Sequence, residues 1–167
     1  IVQEDLATAL DRLDLAPHRR IALGPDYEGV LAAAVSDYPD LDIDPEDGLV
    51  ILYTSGTTGL PKGALISHRA MVARGMCAAS ELQIPIGANF CAWAPFYHMA
   101  STDQVLGTLM RGGTVHVVDG YEPDLLIDIL EREVMRFFIL MPGMVGPFAA
   151  ILKAREVKVK DVGLCGA

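Results

Sequence analysis

From residue 49 onward, short apolar runs alternate with stretches in which apolar residues recur every three to four positions. That rhythm predicts βαβ units around a mostly parallel sheet. The runs at 49–52, 90–94, 114–118, 137–140 and 162–165 read as strands. Between them, Ser67 is suited to cap a helix reaching about residue 82, with Met71, Gly75, Ala78, Ala79 and Leu82 on one face. Residues 101–110 form a second helical stretch closed by Gly112 and Gly113. Pro123 opens a third where its missing N–H costs nothing, with Leu126, Ile129 and Leu130 inward and Asp124, Asp128 and Glu131 outward. Pro142 begins a fourth, ending near residue 154. Upstream, Leu6, Leu10 and Leu13 suit an amphipathic helix over 2–13, 20–23 reads as a short strand, 27–35 as a helix and 37–47 as an extended acidic linker. The expected class is α/β, a mostly parallel β-sheet layered by helices. Ligands of such sheets bind at the carboxyl ends of strands. Residues 54–62, 95–101 and 166–167 follow strands and are expected on one rim.

The most informative stretch is Tyr53-Thr54-Ser55-Gly56-Thr57-Thr58-Gly59-Leu60-Pro61-Lys62-Gly63. Its glycines let backbone N–H groups approach an anion, the hydroxyls of Thr54, Ser55, Thr57 and Thr58 add donors, and Lys62 supplies a positive charge. A polyphosphate suits that set. Strand, loop and helix are the expected order, with the dipole of the following helix aimed at the phosphate. The Walker A loop is excluded, because Pro61 stands where it needs a second glycine and Gly63 where it needs Ser or Thr.

Position for position, these eleven residues resemble the phosphate-binding signature of the adenylate-forming (AMP-binding) superfamily, which includes acyl-CoA synthetases, peptide-synthetase adenylation domains and beetle luciferases. The segment Pro95-Phe96-Tyr97-His98 resembles that family's Pro-x-x-His motif, and 163–167 the start of its Gly-Gly-Ala-type turn. The resemblance covers roughly residues 35–167 and implies an incomplete piece of the large N-terminal domain. It treats 1–167 as one partial domain, with 1–48 as an acidic lead-in and 49–167 as a βα core carrying the phosphate loop at 53–63. It implies that Thr54, Ser55, Gly56, Thr57, Thr58, Gly59 and Lys62 bind the phosphates of ATP, and that His98, Met99, Ala100, Gly166 and Ala167 border the acyl and adenylate pocket. The implied activity is that of an acyl-CoA synthetase: a carboxylic acid attacks ATP to give an acyl-adenylate, and CoA takes the acyl group. ATP, Mg²⁺ and CoA are the implied cofactors. The family's ribose-binding Asp, its magnesium ligand and its C-terminal lysine have no counterpart here, so neither a catalytic residue nor a metal ligand is assigned, and the isolated fragment is expected to be inactive. An amino-acid-activating adenylation domain and a non-catalytic nucleotide- or acyl-binding module are the alternatives.

Charge narrows the partners. The 167 residues carry a formal −9, all of it within residues 1–48, where 12 acids face three arginines. The remainder is balanced, which argues against nucleic acid. Hydrophobic residues make up 51%, enough for a real core and, if surface is exposed by truncation, for self-association. The uncharged stretches 82–102 and 137–152 are interrupted by Pro and Gly, so no transmembrane segment is expected. Cys77, Cys91 and Cys165 lack metal or disulfide spacing and are expected as buried free thiols of a cytoplasmic protein.

Overall fold

The computed structural model describes residues 2–3, 11–12, 21–54 and 59–166. They fall into two units, Ile1–Asp42 and Ile43–Ala167. In the first, β1 (Val2–Gln3) pairs in parallel with β2 (Ala22–Leu23), and α1 (Pro25–Ala32) follows with Pro25 in its first turn. The helix expected over 2–13 is corrected at its start: the Val2 N–H donates to the Ile21 carbonyl at 2.9 Å, so strand pairing takes those backbone groups. Residues 4–10 and 13 of that stretch lie outside the described residues.

The second unit opens with a hairpin where strand, loop and helix were expected. β3 (Gly48–Thr54) runs antiparallel to β4 (Lys62–Ser67), in a register from Gly48 with Ser67 to Thr54 with Lys62. The alternation explains it: Leu52 is buried and Val50 half-buried, while Leu49, Ile51 and Tyr53 on the other face are exposed. Only after β4 does α2 (His68–Glu81) begin, with the Ser67 hydroxyl accepting the Ala70 N–H at 3.3 Å. Six strand residues separate this helix start from Lys62, roughly 20 Å at the usual rise per residue. The positive end of α2 therefore does not reach the Thr54–Lys62 end of the hairpin, since the dipole's influence fades within a turn.

The expected single five-stranded sheet is corrected in the same way, because β3 leaves it for β4. What remains is parallel throughout: β5 (Phe90–Ala92) pairs with β6 (Val115–Val117), β7 (Val134–Ile139) pairs with β8 (Asp161–Gly166), and a parallel bridge from Asn89 to Met135 joins the two pairs. The spatial order is β6-β5-β7-β8. Helices α3 (Met99–Met110), α4 (Pro123–Arg132) and α5 (Val145–Ala154) fill the crossovers.

The two sheet faces receive different helices. On one, Leu126, Ile129 and Leu130 of α4 and Phe148 of α5 form a buried cluster with Cys91, Trp93, Phe138 and Leu140. On the other, Phe90 stacks on Phe137 with ring centroids 6.4 Å apart, and Phe137 and Ile139 line a cleft with residues of α2 and α3. Gly75 and Gly107 let those two helices touch backbone to backbone: a Cβ built on Gly75 would stand 3.7 Å from the Gly107 Cα. The apolar face read from the sequence, Met71, Gly75, Ala78, Ala79 and Leu82, is the buried or half-buried side of α2.

Candidate functional site

Because β5 to β8 are parallel, their carboxyl ends share one edge. Trp93, just past β5, donates its Nε1–H to the carbonyl of Ile139 at the end of β7, 2.7 Å away. The chain then turns sharply, with the His98 N–H donating to the Pro95 carbonyl at 3.0 Å. The Ser101 hydroxyl, buried, donates back to the Ala94 carbonyl at 2.6 Å, and the Thr102 hydroxyl to the Phe96 carbonyl. These bonds fix the segment 95–98 on the sheet's edge and start α3 there.

His98 caps that helix. Its Nδ1 accepts the Ala100 N–H at 3.1 Å, and its carbonyl accepts the N–H groups of Ser101 and Thr102. With Nδ1 accepting, the neutral ring carries its proton on Nε2. The His98 side chain is exposed.

Across from it stands the hairpin. A cleft of 570 Å³ is lined by Leu52, Tyr53, Thr54, Pro61, Ala64 and Ile66 from β3, β4 and their connection, and by Tyr97, His98 and Met99 from the other side. Tyr53, Thr54 and Pro61 of the first motif and Tyr97 and His98 of the second thus line one concavity. Thr54 and Lys62 form the last pair of the hairpin, with the Thr54 hydroxyl donating to the Lys62 carbonyl at 3.4 Å, and the Lys62 side chain is exposed. Gly59 has a φ of +93°, a conformation that favours glycine. Ser55, Gly56, Thr57, Thr58 and Ala167 lie outside the described residues. Gly166 pairs with Ile139 on the same carboxyl edge.

Met99 and Ala100 also line a second cleft of 350 Å³ between α2, α3 and the sheet. Its charged and amide residues, Arg74, Glu81, Asp103 and Gln104, are ones the sequence pattern did not single out. Asp103 and Gln104 belong to the polar run 101–104 at the start of α3, three of whose four residues are buried. Among the described residues no group of three His, Cys, Asp or Glu side chains could hold a metal, and no helix is long and apolar enough to cross a membrane.

The cysteines divide. Cys91 is buried in the core, which pushes its thiol up from 9.0 to about 11. Cys77 is exposed, contrary to the expectation of a buried thiol. The side chain of Cys165 lies outside the description. Iodoacetamide at mild alkaline pH is expected to modify Cys77 in the folded protein and spare Cys91, as mass spectrometry of the peptides will report. The stabilising share of the neutral Cys91 thiol is complete below pH 9 and is lost as pH rises through about 11.

Comparison with known proteins identifies the arrangement. A family model described as AMP-binding enzyme matches residues 3–165. The chain belongs to that family. A feruloyl-CoA synthase from Amycolatopsis is 30% identical over 141 residues, 83% of this chain and 29% of the relative. The long-chain-fatty-acid–CoA ligase FadD13 of Mycobacterium tuberculosis is 33% identical over 85 residues, 51% of this chain and 17% of the relative. Among solved structures, the inhibitor-bound N-terminal domain of FACL13 from Mycobacterium tuberculosis superposes with a TM-score of 0.79 at 22% identity, over 96% of this chain and 42% of that one. A malonyl-CoA ligase in a ternary product complex with methylmalonyl-CoA and AMP gives 0.63 at 29% identity, over 70% of this chain and 25% of that one. This AMP-binding chain therefore has the fold of part of such an N-terminal domain, and it spans less than a third of the length of these curated relatives.

Proposed function

We propose that the cleft between the β3–β4 hairpin and the segment 95–99 is where an ATP-dependent acid–thiol ligase activates its carboxylic acid. The observation that carries this reading is the convergence of Thr54 and Pro61, which flank the hydroxyl- and glycine-rich connection, with His98 and Met99 in one cleft. Phosphates of ATP lie against the connection, held by its N–H groups, by Thr54, Ser55, Thr57 and Thr58 and by Lys62. The acid lies toward His98, Met99, Ala100, Gly166 and Ala167. Attack of the carboxylate on the α-phosphorus expels pyrophosphate and builds negative charge on the phosphate oxygens. Fixed donors and a cation on one side of that charge lower the barrier, and holding both reactants in one cleft supplies proximity.

Mg²⁺ would accompany ATP and share the charge of its phosphates. CoA is the proposed acyl acceptor. Most of the relatives named here are CoA ligases or synthetases; a match to Nonribosomal peptide synthetase 4 of Gibberella zeae, 30% identical over 97 residues, favours the amino-acid-activating alternative. The domain limits proposed are an acidic lead-in at 1–48 and a βα core at 49–167.

Pyrophosphate exchange on the whole protein with a panel of carboxylic acids tests the reading: acid-dependent exchange supports it, and none with any acid contradicts it. A narrower expectation concerns Ala100, half-buried beside Met99. Ala100→Trp should reject long or bulky acids at least about tenfold more than short ones, as expected when a pocket loses several methylenes of room, with the KM for ATP unchanged. Equal loss for every acid would remove Ala100 from the acyl pocket.

A further inference from the structure

The cleft behind His98 and Met99 has an uncompensated acceptor in its wall. Asp103 on α3 is only 4% exposed. One of its carboxylate oxygens, Oδ2, accepts the Arg74 Nε–H at 2.9 Å. The other, Oδ1, is buried and has no hydrogen-bond partner among the described residues. A buried carboxylate oxygen without a donor is costly, and in folded proteins such an oxygen is met by a water, an ion or a ligand, or marks a functional group.

The surroundings say where that partner enters. Asp103 lines the 350 Å³ cleft together with Arg74, Glu81, Gln104, Met99 and Ala100, and Met99 is common to this cleft and the one that holds His98. An acid whose carboxylate is activated near His98 would extend past Met99 and Ala100 toward Asp103. Arg74, which holds the other carboxylate oxygen, has a side chain that is 55% exposed. Because Arg74 already engages Oδ2, the remaining oxygen accepts from a neutral hydroxyl or from an amine, whereas a second carboxylate would meet a like charge.

We propose that the substrate is a carboxylic acid bearing a hydrogen-bond donor, a hydroxyl or amino group, at the end remote from its carboxylate, and that Asp103 Oδ1 reads that donor. This rests on the acid-activating reading above and adds the substrate class. A site that hydrogen-bonds a substrate group discriminates far more sharply against its absence than an apolar wall discriminates by size.

The test uses the whole protein and matched acids: hexanoate against 6-hydroxyhexanoate and 6-aminohexanoate, and 3-phenylpropanoate against its 4-hydroxyphenyl counterpart. Both kcat/KM in pyrophosphate exchange and binding by calorimetry are measured. The donor-bearing member of at least one series should be preferred by tenfold or more, on the order expected for a missing hydrogen-bond partner. The amino and hydroxyl arms tell a cationic donor from a neutral one. Asp103→Asn should abolish the preference for 6-aminohexanoate, because the new amide turns its oxygen to Arg74 and its NH₂ to the cleft, whereas a hydroxyl can still accept from that NH₂. Asp103→Leu should favour the unsubstituted acids, with folding of both variants checked by thermal melting. If neither variant folds, the wild-type ratios decide alone. A wild-type protein indifferent to the donor in both series, or an Asp103→Leu variant that keeps the wild-type ratio, overturns the proposal. Donor-selective binding without exchange would leave it standing while removing the ligase reading, and binding of no acid would remove both.

Discussion

Lys62→Ala in the whole protein should lower acid-dependent pyrophosphate exchange by roughly 10²–10³-fold, the loss typical of removing one fixed group that stabilises transition-state charge. Lys62 is the only cation in the stretch 53–63, and it stands at the mouth of the hairpin opposite Thr54. Its side chain is exposed and it ends a strand rather than filling a core, so the melting temperature should hardly move. The expected loss lies in kcat/KM for ATP, and Lys62→Arg should recover part of it. Full exchange activity in Lys62→Ala would mean that the phosphates lie elsewhere.

The second large effect is on stability. Leu126 is fully buried on α4, in the cluster with Trp93, Phe138 and Phe148. Leu126→Ala should cost about 2–5 kcal/mol, because the cavity adds to the lost transfer energy. Its neighbour Leu125 is 53% exposed, and Leu125→Ala should change stability by no more than about 0.5 kcal/mol. Urea unfolding of the two variants beside the parent separates them. Similar midpoints would contradict the packing of α4 described here.

That contrast was legible in the sequence. The spacing of Leu126, Ile129 and Leu130 against Asp124, Asp128 and Glu131, with Pro123 in the first turn, gives α4 its start and its buried face. The parallel strands were equally readable as short apolar runs between helices, because burial on both faces removes any need for alternation. β3 was misread for the complementary reason. Leu49, Val50, Ile51 and Leu52 look like one more run of that kind, yet only Val50 and Leu52 turn inward, and the partner that pairs with them is Lys62–Ser67. That partner begins with Lys and Gly, residues of weak strand preference, and leads directly into a well-capped helix, so local pattern assigned it to loop. Pairing six residues across the hairpin outweighed the propensity of two.

The site shows the same division. The phosphate stretch and Pro95–His98 were visible as motifs, and the structure brings Thr54, Pro61, His98 and Met99 to one cleft. Asp103 and Arg74 were not visible, since nothing in sequence marks which polar residue of a helix faces inward against a partner on another helix 29 positions away. Gly75 and Gly107 gave half the warning, as two glycines in helical stretches mark a close crossing, and that crossing brings α2 and α3 together.

The central claim is that nucleotide phosphates sit at the tip of the β3–β4 hairpin. An acyl-phosphate derivative of ATP, which transfers its acyl group to a lysine beside the bound phosphates, tests it most directly on the whole protein, followed by peptide mapping. This chain has four lysines, Lys62, Lys153, Lys158 and Lys160, and the last three lie in and after α5. The account predicts modification of Lys62 that disappears in excess ATP. Modification confined to Lys153, Lys158 or Lys160, or undiminished by ATP at Lys62, would contradict it.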